Sequence, residues 1–428
     1  MAKTKLAHEN IDKFKGDLGQ CMKCGFCTFW CPIYQEERLE PSVARGKNVM
    51  IRGLLAGDLE YTKAFSDRLN KCTLCMACTA NCPAKANIPN VIVAARADTA
   101  RTRGLKFPYN LIYRNLVPNR VAFGNVVRWA SWFQGVCMPK TEGTVRHLSL
   151  FPAALGRGRH IPSIAPKFLR QMMPVVNKPP AGVKTTFKAG YFTGCMTDFV
   201  FPELGKHIIE FLNRNGVEVV MPREQGCCSA PVFRGAGDFD TSRVMADANV
   251  KAFADLDFVV SDCATCVSTI KDYAKFLADT PERKEAYTKL GNKMKDISSF
   301  LVDVLKLPAS AYQPAEAAKG MKVTWHDPCH LSRYLGVTSQ PRQILKSLPG
   351  VQFVEMAGAD RCCGMAGAFG LYEYELSKKI ADKKVAAIKA TGADIVASSC
   401  LGCEVQLIDA ITRAKLPVKV MHLMELVQ

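Results

Sequence analysis

Of the 19 cysteines in this 428-residue chain, all but Cys137 fall into patterned sets. The first set is Cys21-Met-Lys-Cys24-Gly-Phe-Cys27-Thr-Phe-Trp-Cys31-Pro32, and the second is Cys72-Thr-Leu-Cys75-Met-Ala-Cys78-Thr-Ala-Asn-Cys82-Pro83. Both read C-x2-C-x2-C-x3-C-P. Thiolates so spaced ligate iron: three close cysteines wrap one corner of a [4Fe–4S] cube and the fourth reaches the other cube. The rule assigns Cys21, Cys24, Cys27 and Cys82 to one cubane cluster, and Cys72, Cys75, Cys78 and Cys31 to a second. Zinc fits poorly, because a structural zinc site is typically two separated pairs that make one set of four.

The remaining cysteines form two units with the same internal order. Each unit has a lone cysteine, a vicinal pair and a C-x2-C. The first is Cys195, Cys227-Cys228 and Cys263-x2-Cys266; the second is Cys329, Cys362-Cys363 and Cys400-x2-Cys403. The lone cysteine precedes its pair by 31 residues in one unit and 32 in the other, and the pair precedes the C-x2-C by 34 and 36. A single buried cysteine is ordinary core packing, but ten in register are not. Vicinal cysteines rarely bridge each other, because the geometry is strained. Zinc takes four ligands and leaves one thiol over in each unit. The units therefore read as metal centres with five available thiolates.

Elements that position these thiols can be read from the flanking pattern. In the first unit we expect strands at Ala189–Thr193, Val217–Met221 and Phe258–Ser261, with helices at Pro202–Asn215 and about Ser242–Ala254. In the second we expect strands at Lys322–His326, Gln352–Glu355 and Asp394–Ala397, helices at Arg342–Leu348 and about Tyr374–Ala390, and a closing strand at Val418–His422. Strand–helix alternation gives a parallel sheet in an α/β layer. Every cysteine of the two five-cysteine units follows a strand, and the carboxyl ends of such strands are where ligands collect. The N-terminal part reads as helix instead. Residues 1–20 are a polar, helix-prone lead-in, the 40 residues between the ferredoxin runs read helical from Ser42 to about Ala64, and helix continues over Ile88–Ala100. This long helical insert resembles the ferredoxin domain of succinate dehydrogenase-type iron–sulfur subunits more than compact bacterial ferredoxins.

The five-cysteine pattern resembles the cysteine-rich CCG domain of heterodisulfide reductase subunits of the B and D type. It also resembles the iron–sulfur subunits of glycolate oxidase, D-lactate dehydrogenase and anaerobic glycerol-3-phosphate dehydrogenase. The residues that carry it are Tyr191-Phe-Thr-Gly194-Cys195, Cys227-Cys228 and Asp262-Cys263-Ala-Thr-Cys266, then His326-Asp-Pro-Cys329-His330, Cys362-Cys363-Gly364-Met-Ala-Gly367 and Ser399-Cys400-Leu-Gly-Cys403. The resemblance implies a multi-domain α+β and α/β protein: a helical two-cluster ferredoxin domain (1–100), a basic aromatic linker (101–188), and tandem CCG domains (189–310 and 311–428). It implies one or two non-cubane [4Fe–4S] clusters, on Cys195, Cys227, Cys228, Cys263 and Cys266 and on Cys329, Cys362, Cys363, Cys400 and Cys403. The first unit departs from the family by Ser229 where the consensus has glycine, which favours the second unit as the better formed. Gly364 and Gly367 read as allowing close backbone approach to sulfur.

The function implied is electron transfer. A partner FAD-containing dehydrogenase would oxidise a 2-hydroxy acid of the lactate or glycolate type, and this chain would pass electrons towards a quinone or another acceptor. The alternative is a heterodisulfide-reductase-like subunit that reduces a disulfide or quinone at non-cubane clusters. No residue is assigned a catalytic role and no cofactor site beyond the cluster ligands. There is no P-loop and no G-x-G-x-x-G after a strand, so the flavin is expected on the partner. His326 and His330 flank Cys329. One could donate a proton beside the cluster, but His326 reads more simply as a strand-end residue pairing with local backbone. Cys137 reads as a packed thiol.

The net charge of +18 is concentrated. Residues 101–188 hold 15 Lys/Arg against one acid, Glu142. No nucleic-acid motif accompanies them. They could be an intramolecular surface wrapping the domains, or a docking surface for an anionic leaflet or a membrane subunit. The clearest element there is a helix at Arg120–Val136. Arg120, Gly124, Arg128, Ser131 and Gly135 share one side, with Phe123, Val126, Trp129, Trp132, Phe133 and Val136 on the other. With no signal peptide and no run of 18 apolar residues, the expected location is the cytoplasm, with peripheral contact at the inner face of the cell membrane through 101–188. A chain of this size with free thiols points to the same reducing compartment.

Overall fold

The computed structural model describes residues 8–148 and 158–428. Residues 1–7 of the polar lead-in and 149–157 of the linker lie outside the described residues. The N-terminal half is built on the helix Ile88–Arg103. Pro89 sits in its first turn, where a missing N–H leaves nothing unpaired, and every residue from Ile88 to Thr99 is buried. A helix buried on all sides must be surrounded. Glu9–Asp12, Lys15–Gln20, Ala44–Ala56 and Lys63–Asn70 all pack against it. Asp98 on this helix accepts hydrogen bonds from Asn10 Nδ2 (2.8 Å) and Ile11 N (2.9 Å), which ties the lead-in to it. The helical stretch expected between the ferredoxin runs is two helices. Gly57, left-handed at φ 87°, ends Ala44–Ala56, and Thr62 caps Lys63–Asn70 by accepting from Phe65 N.

The C-terminal half contains two matched parallel sheets. In the first the strand order is Val176–Asn177, Val217–Val220, Phe187–Tyr191, Phe258–Ser261, Met294–Asp296, with only the first edge strand antiparallel. In the second it is Gln352–Val354, Lys322–Trp325, Ile395–Ser398, Lys419–His422, all parallel. Removing the antiparallel edge strand makes the two orders identical. The helices Pro202–Arg214, Phe239–Ala252, Ser339–Ser347 and Tyr374–Thr391 lie close to the expected spans. The strand Met294–Asp296 was not anticipated. It is three residues long and follows directly on the helix Pro281–Lys293, too short to show an alternating pattern. It is the counterpart of Lys419–His422.

The linker holds more structure than loops and short helices. Lys140–Glu142, Val145–His147 and His160–Pro162 form a three-stranded antiparallel sheet. The helix Arg120–Cys137 presents its polar side inwards. Arg120 pairs with buried Asp198 at 2.7 Å, Arg128 lies over the Phe168 ring, and Gln134 Nε2 donates to Ile164 O. Phe123, grouped with the outer aromatic residues by the wheel, instead packs edge-on against Phe199. Its position at the wheel boundary let the neighbouring aromatic surface take it. Further along, Arg159 is buried and donates to Gly370 O, and His160 N donates to Asp409. The linker thus reaches across both sheets. Among the described residues no helix is long and apolar enough to cross a membrane.

The halves meet at one close backbone approach. Gly237, at φ 76°, lies against the backbone of the long N-terminal helix. A Cβ there would stand 2.5 Å from the Arg96 carbonyl carbon and 2.6 Å from Ala97 N.

Candidate metal centres

The two ferredoxin runs adopt the same loop. Lys23 and Leu74, each directly before the second cysteine, are left-handed at φ 57° and 52°. Gly25 and Met76, directly after the second cysteine, are left-handed at φ 85° and 61°. Such turns aim successive N–H groups into one concavity, which suits an anion or a thiolate. Leu74 N donates to Cys72 Sγ at 3.4 Å, and Tyr34 N to Cys31 Sγ at 3.5 Å. Cys21, Cys24, Cys27 and Cys82 line one small cavity, with Cys78 in its wall. Cys31, Cys72, Cys75 and Cys78 line a second. The fourth cysteine of each run stands in the cavity of the other run.

In the sheets every cysteine sits at the carboxyl rim. Cys195 opens the helix Cys195–Phe199, Cys263 caps Ala264–Lys271 and Cys400 caps Leu401–Arg413. Cys266 and Cys403 lie in the first turns of the latter two. The C-x2-C motifs of the two units face each other. Ala264 N donates to Ser399 O at 3.1 Å, His422 Nε2 to Asp262 O at 2.9 Å, and Thr265 Oγ1 lies 3.2 Å from Cys400 Sγ.

The thiols form a continuous chain of hydrogen-bonding contacts. In the first unit Cys227 meets Cys228, Cys228 meets Cys266, and Cys266 meets Cys263. Cys263 meets Cys400 across the junction. In the second unit Cys400 meets Cys403, Cys403 meets Cys363, and Cys363 meets Cys362. Cys362 meets Cys329 and also Cys75 of the second ferredoxin cavity. Arg333 and Tyr334, just after Cys329, fasten this last junction by donating to Cys75 O (3.2 Å) and Leu74 O (2.9 Å). Cys195 stands beside Cys228 without thiol contact. Cys137 is exposed and apart from all of these, contrary to the packed thiol expected. It sits on the last residue of a helix whose outer side is bare.

Sequence reasoning missed two features of this site. The first is the contact between Cys75 and Cys362. The second is His326. Its backbone pairs as a strand end should, N to Ala397 O at 2.9 Å. Its ring lies near the Ala359 carbonyl, but neither ring nitrogen makes a well-formed hydrogen bond. The ring instead has a nitrogen within 4.8 Å of both Cys363 and Cys403 Sγ, so the expected local pairing of the side chain is not found. Burial pulls its pKa down to about 3, so the ring is neutral. His330 is also neutral. Burial and Arg234, which donates to its Nδ1 at 2.8 Å, hold its pKa at about 3.

Ser229 adopts the conformation that its family counterpart uses. It is left-handed at φ 62°, as Gly364 is at φ 93°. Gly364 N donates to Cys362 Sγ at 3.4 Å, and Ser229 N approaches Cys227 in the same way. The two positions differ in space. A Cβ on Gly364 would meet Ser377 O at 2.8 Å. Gly364→Ser is therefore expected to destabilise the loaded protein by about 2 kcal/mol, from backbone strain and overpacking. Ser229→Gly should be near neutral. Denaturant midpoints of the two variants check this.

All 19 cysteines are free thiols. Burial pushes Cys31 up to about 12 and raises Cys195. The bond to Cys362, and then burial, raises Cys75 well above the ordinary thiol range. Thiolates persist in such places only against nearby positive charge, and metal binding is coupled to loss of the thiol proton. Soft sulfur donors, four to a cavity with N–H groups aimed at them, fit iron–sulfur clusters.

Comparison with known proteins agrees with this donor set. The 4Fe-4S dicluster domain family matches residues 17–86, and the cysteine-rich CCG domain family matches residues 189–271 and 323–408. The chain is 29% identical to the probable glycolate oxidase iron-sulfur subunit of Bacillus subtilis, over 98% of this chain and 94% of that protein. It is 34% identical to lactate utilization protein A of Halalkalibacterium halodurans, over 56% of this chain and 95% of that protein. It is 33% identical to the B component of the fumarate reductase (CoM/CoB) of Methanothermobacter marburgensis, over 56% of this chain and 45% of that protein. The chain thus belongs to the family of iron–sulfur proteins that carry cysteine-rich CCG domains, here together with a 4Fe-4S dicluster domain.

Proposed function

We propose that this chain is the electron-transfer subunit of an oxidoreductase complex. It takes electrons from a partner FAD-linked dehydrogenase of the lactate or glycolate type and passes them towards a quinone or another acceptor. The observation that carries this reading is the unbroken run of thiol contacts from Cys75 through Cys362, Cys400 and Cys263 to Cys228. The domain division follows it: 1–100 as the ferredoxin half, 101–188 as linker, and 189–310 and 311–428 as CCG domains.

Cys21, Cys24, Cys27 and Cys82 would hold one cubane cluster, and Cys31, Cys72, Cys75 and Cys78 the other. The five cysteines of each CCG domain would hold a non-cubane cluster. Bound clusters supply one-electron storage at potentials set by charge, hydrogen bonds to sulfur and burial. The chain's own residues do the rest. Left-handed Lys23, Leu74, Met76 and Ser229 orient N–H groups towards sulfur, the sheets fix the spacing of the rims, and the buried junctions exclude water. Iron and labile sulfide on anaerobically purified protein, with EPR of both redox states, test the assignment. About sixteen iron per chain is expected, four for each of four clusters. About eight would leave only the ferredoxin clusters and overturn the CCG part.

A second reading is a heterodisulfide-reductase-like subunit, with substrate reduced at the CCG centres. The facing C-x2-C motifs, with Cys263 against Cys400, favour it. Chemically reduced protein, free of partners, either turns over a heterodisulfide or does not. Turnover would replace the first reading by this one.

The linker helix supplies a docking surface in either case. Trp129, Trp132, Phe133 and Val136 are 55–81% exposed along its outer side, and Trp129 stacks on Phe133. Several linker cations are already used within the chain, Arg114 with Asp238 and Arg120 and Arg170 with Asp198, while Lys140, Lys167, Lys178 and Lys184 are exposed. The bare aromatic side, on a segment with exposed lysines, suits an anionic leaflet or a membrane subunit on the cytoplasmic side. The triple variant Trp129→Ser, Trp132→Ser, Phe133→Ser is expected to stop co-floating with anionic liposomes that carry the wild type. Equal flotation would remove lipid as the partner.

A further inference from the structure

The ferredoxin cavities differ in the charge built around them. Arg96, 6% exposed, lies on the long central helix. Its guanidinium donates to Leu69 O (2.8 Å), Cys72 O (2.7 Å) and Arg234 O (2.8 Å). All are carbonyls, and Nε has no partner. Among the described residues no carboxylate pairs with it; the charges that act on it most are Cys72 and Tyr334. A guanidinium does not deprotonate in a protein, so this is a permanent buried cation.

Lys47, 1% exposed, is a second buried basic group; burial lowers its pKa, and the charges of Cys72 and Cys31 act to raise it. It lines the cavity of Cys31, Cys72, Cys75 and Cys78, and its Nζ donates to Pro41 O (2.9 Å) and Ser42 O (2.6 Å). The nearest acid, Glu37, is occupied by Lys71 and Arg68. Among the described residues the other cavity has no buried equivalent, since Lys23 in its wall is exposed. Arg45, also beside that cavity, is partly exposed and neutralised by Glu40 at 2.6 and 2.8 Å.

Leaving a buried charge unpaired costs several kcal/mol. Two such charges around one set of four cysteines need an anion, and thiolates bound to a reducible cluster provide it. Low dielectric strengthens the attraction, and each added electron increases it. We propose that Arg96 and Lys47 are the counter-charges of the inner ferredoxin centre, on Cys31, Cys72, Cys75 and Cys78. They raise its reduction potential above that of the outer centre, so that an electron entering the ferredoxin half settles beside the Cys75–Cys362 junction. This rests on the ligand sets proposed above. Both are positioning residues and neither is a ligand.

An EPR-monitored titration of the full chain with dithionite tests it. The wild type should show two ferredoxin-type signals of different midpoint potential, and Cys72→Ala should remove the higher one. In Arg96→Gln the higher potential should fall by a factor of at least ten in the reduction equilibrium, about 59 mV for one electron, with the lower unchanged. Arg96→Lys keeps the charge while losing the fan of carbonyl bonds, so it should retain most of the wild-type potential. Lys47→Met should shift the same signal in the same direction, and it decides the matter if Arg96→Gln does not fold. If both substitutions leave both potentials in place, or if Arg96→Lys loses iron and stability as far as Arg96→Gln without a shift, these residues are only braces and the proposal falls. Wild-type protein with iron but no ferredoxin-type signal would instead overturn the ligand sets on which it rests.

Discussion

Cys362→Ala protein is expected to hold about twelve iron per chain where the wild type holds about sixteen, one cluster's worth fewer. Its dithionite-reduced ferredoxin half should also pass electrons to an added quinone more slowly than the wild type does. Cys362 reaches the ferredoxin half through Cys75, and it also bonds Cys329 and Cys363. Removing it takes a ligand from the unit and opens the junction together. Cys329→Ala separates the two effects, because the Cys75–Cys362 contact survives there. Cys137→Ala, at an exposed thiol remote from the chain of contacts, should match the wild type in iron and in rate. Metal analysis and stopped-flow absorbance of anaerobic protein check all three. Full iron and unchanged transfer in Cys362→Ala would remove both the second-unit ligand set and this junction as the route.

Gly237→Ala should be strongly destabilising, at roughly 4 kcal/mol. An alanine at φ 76° carries the left-handed penalty of about 1–2 kcal/mol. Its Cβ would also stand 2.5 Å from the Arg96 carbonyl carbon and oxygen, a backbone clash in the range of about 1–3 kcal/mol for overpacking. Neither neighbour can yield as a flexible side chain could. The cost falls on the seam between the long helix and the first CCG domain, where Arg96 also reaches Arg234 O. The expected result is a lowered denaturant midpoint with earlier protease cleavage between the halves. A variant as stable as the wild type would mean that the seam adjusts freely.

The chemistry of this protein was legible in its sequence because cluster ligation is local. Three cysteines within seven residues close around one iron–sulfur corner whatever surrounds them, and the two runs do adopt one loop, with Lys23 matching Leu74 and Gly25 matching Met76. The strands that carry the CCG cysteines were legible for the same reason, since apolar runs such as Phe258–Ser261 and Ile395–Ser398 are flanked by clear helices. The polar and aromatic sides of Arg120–Cys137 followed from helical period, with Phe123 at the boundary misassigned, whereas packing decided that the polar side faces inwards.

What tertiary structure decided is everything joining residues distant in the chain. Cys75 and Cys362 lie far apart in sequence, and nothing near either one signals their contact. Spacing within each unit likewise leaves open that a thiol of the second unit, Cys362, is the one that meets Cys75 of the ferredoxin half. Met294–Asp296 and the linker strands are too short to be marked by alternation, and they exist because a neighbouring strand edge accepts them. Ser229 reads as a defect beside its glycine counterpart until its φ is known, since a serine can hold a left-handed turn where space allows. Arg96 looks like one more helix surface charge in sequence. Only packing shows it buried without a carboxylate, because burial is set by what arrives from the rest of the chain.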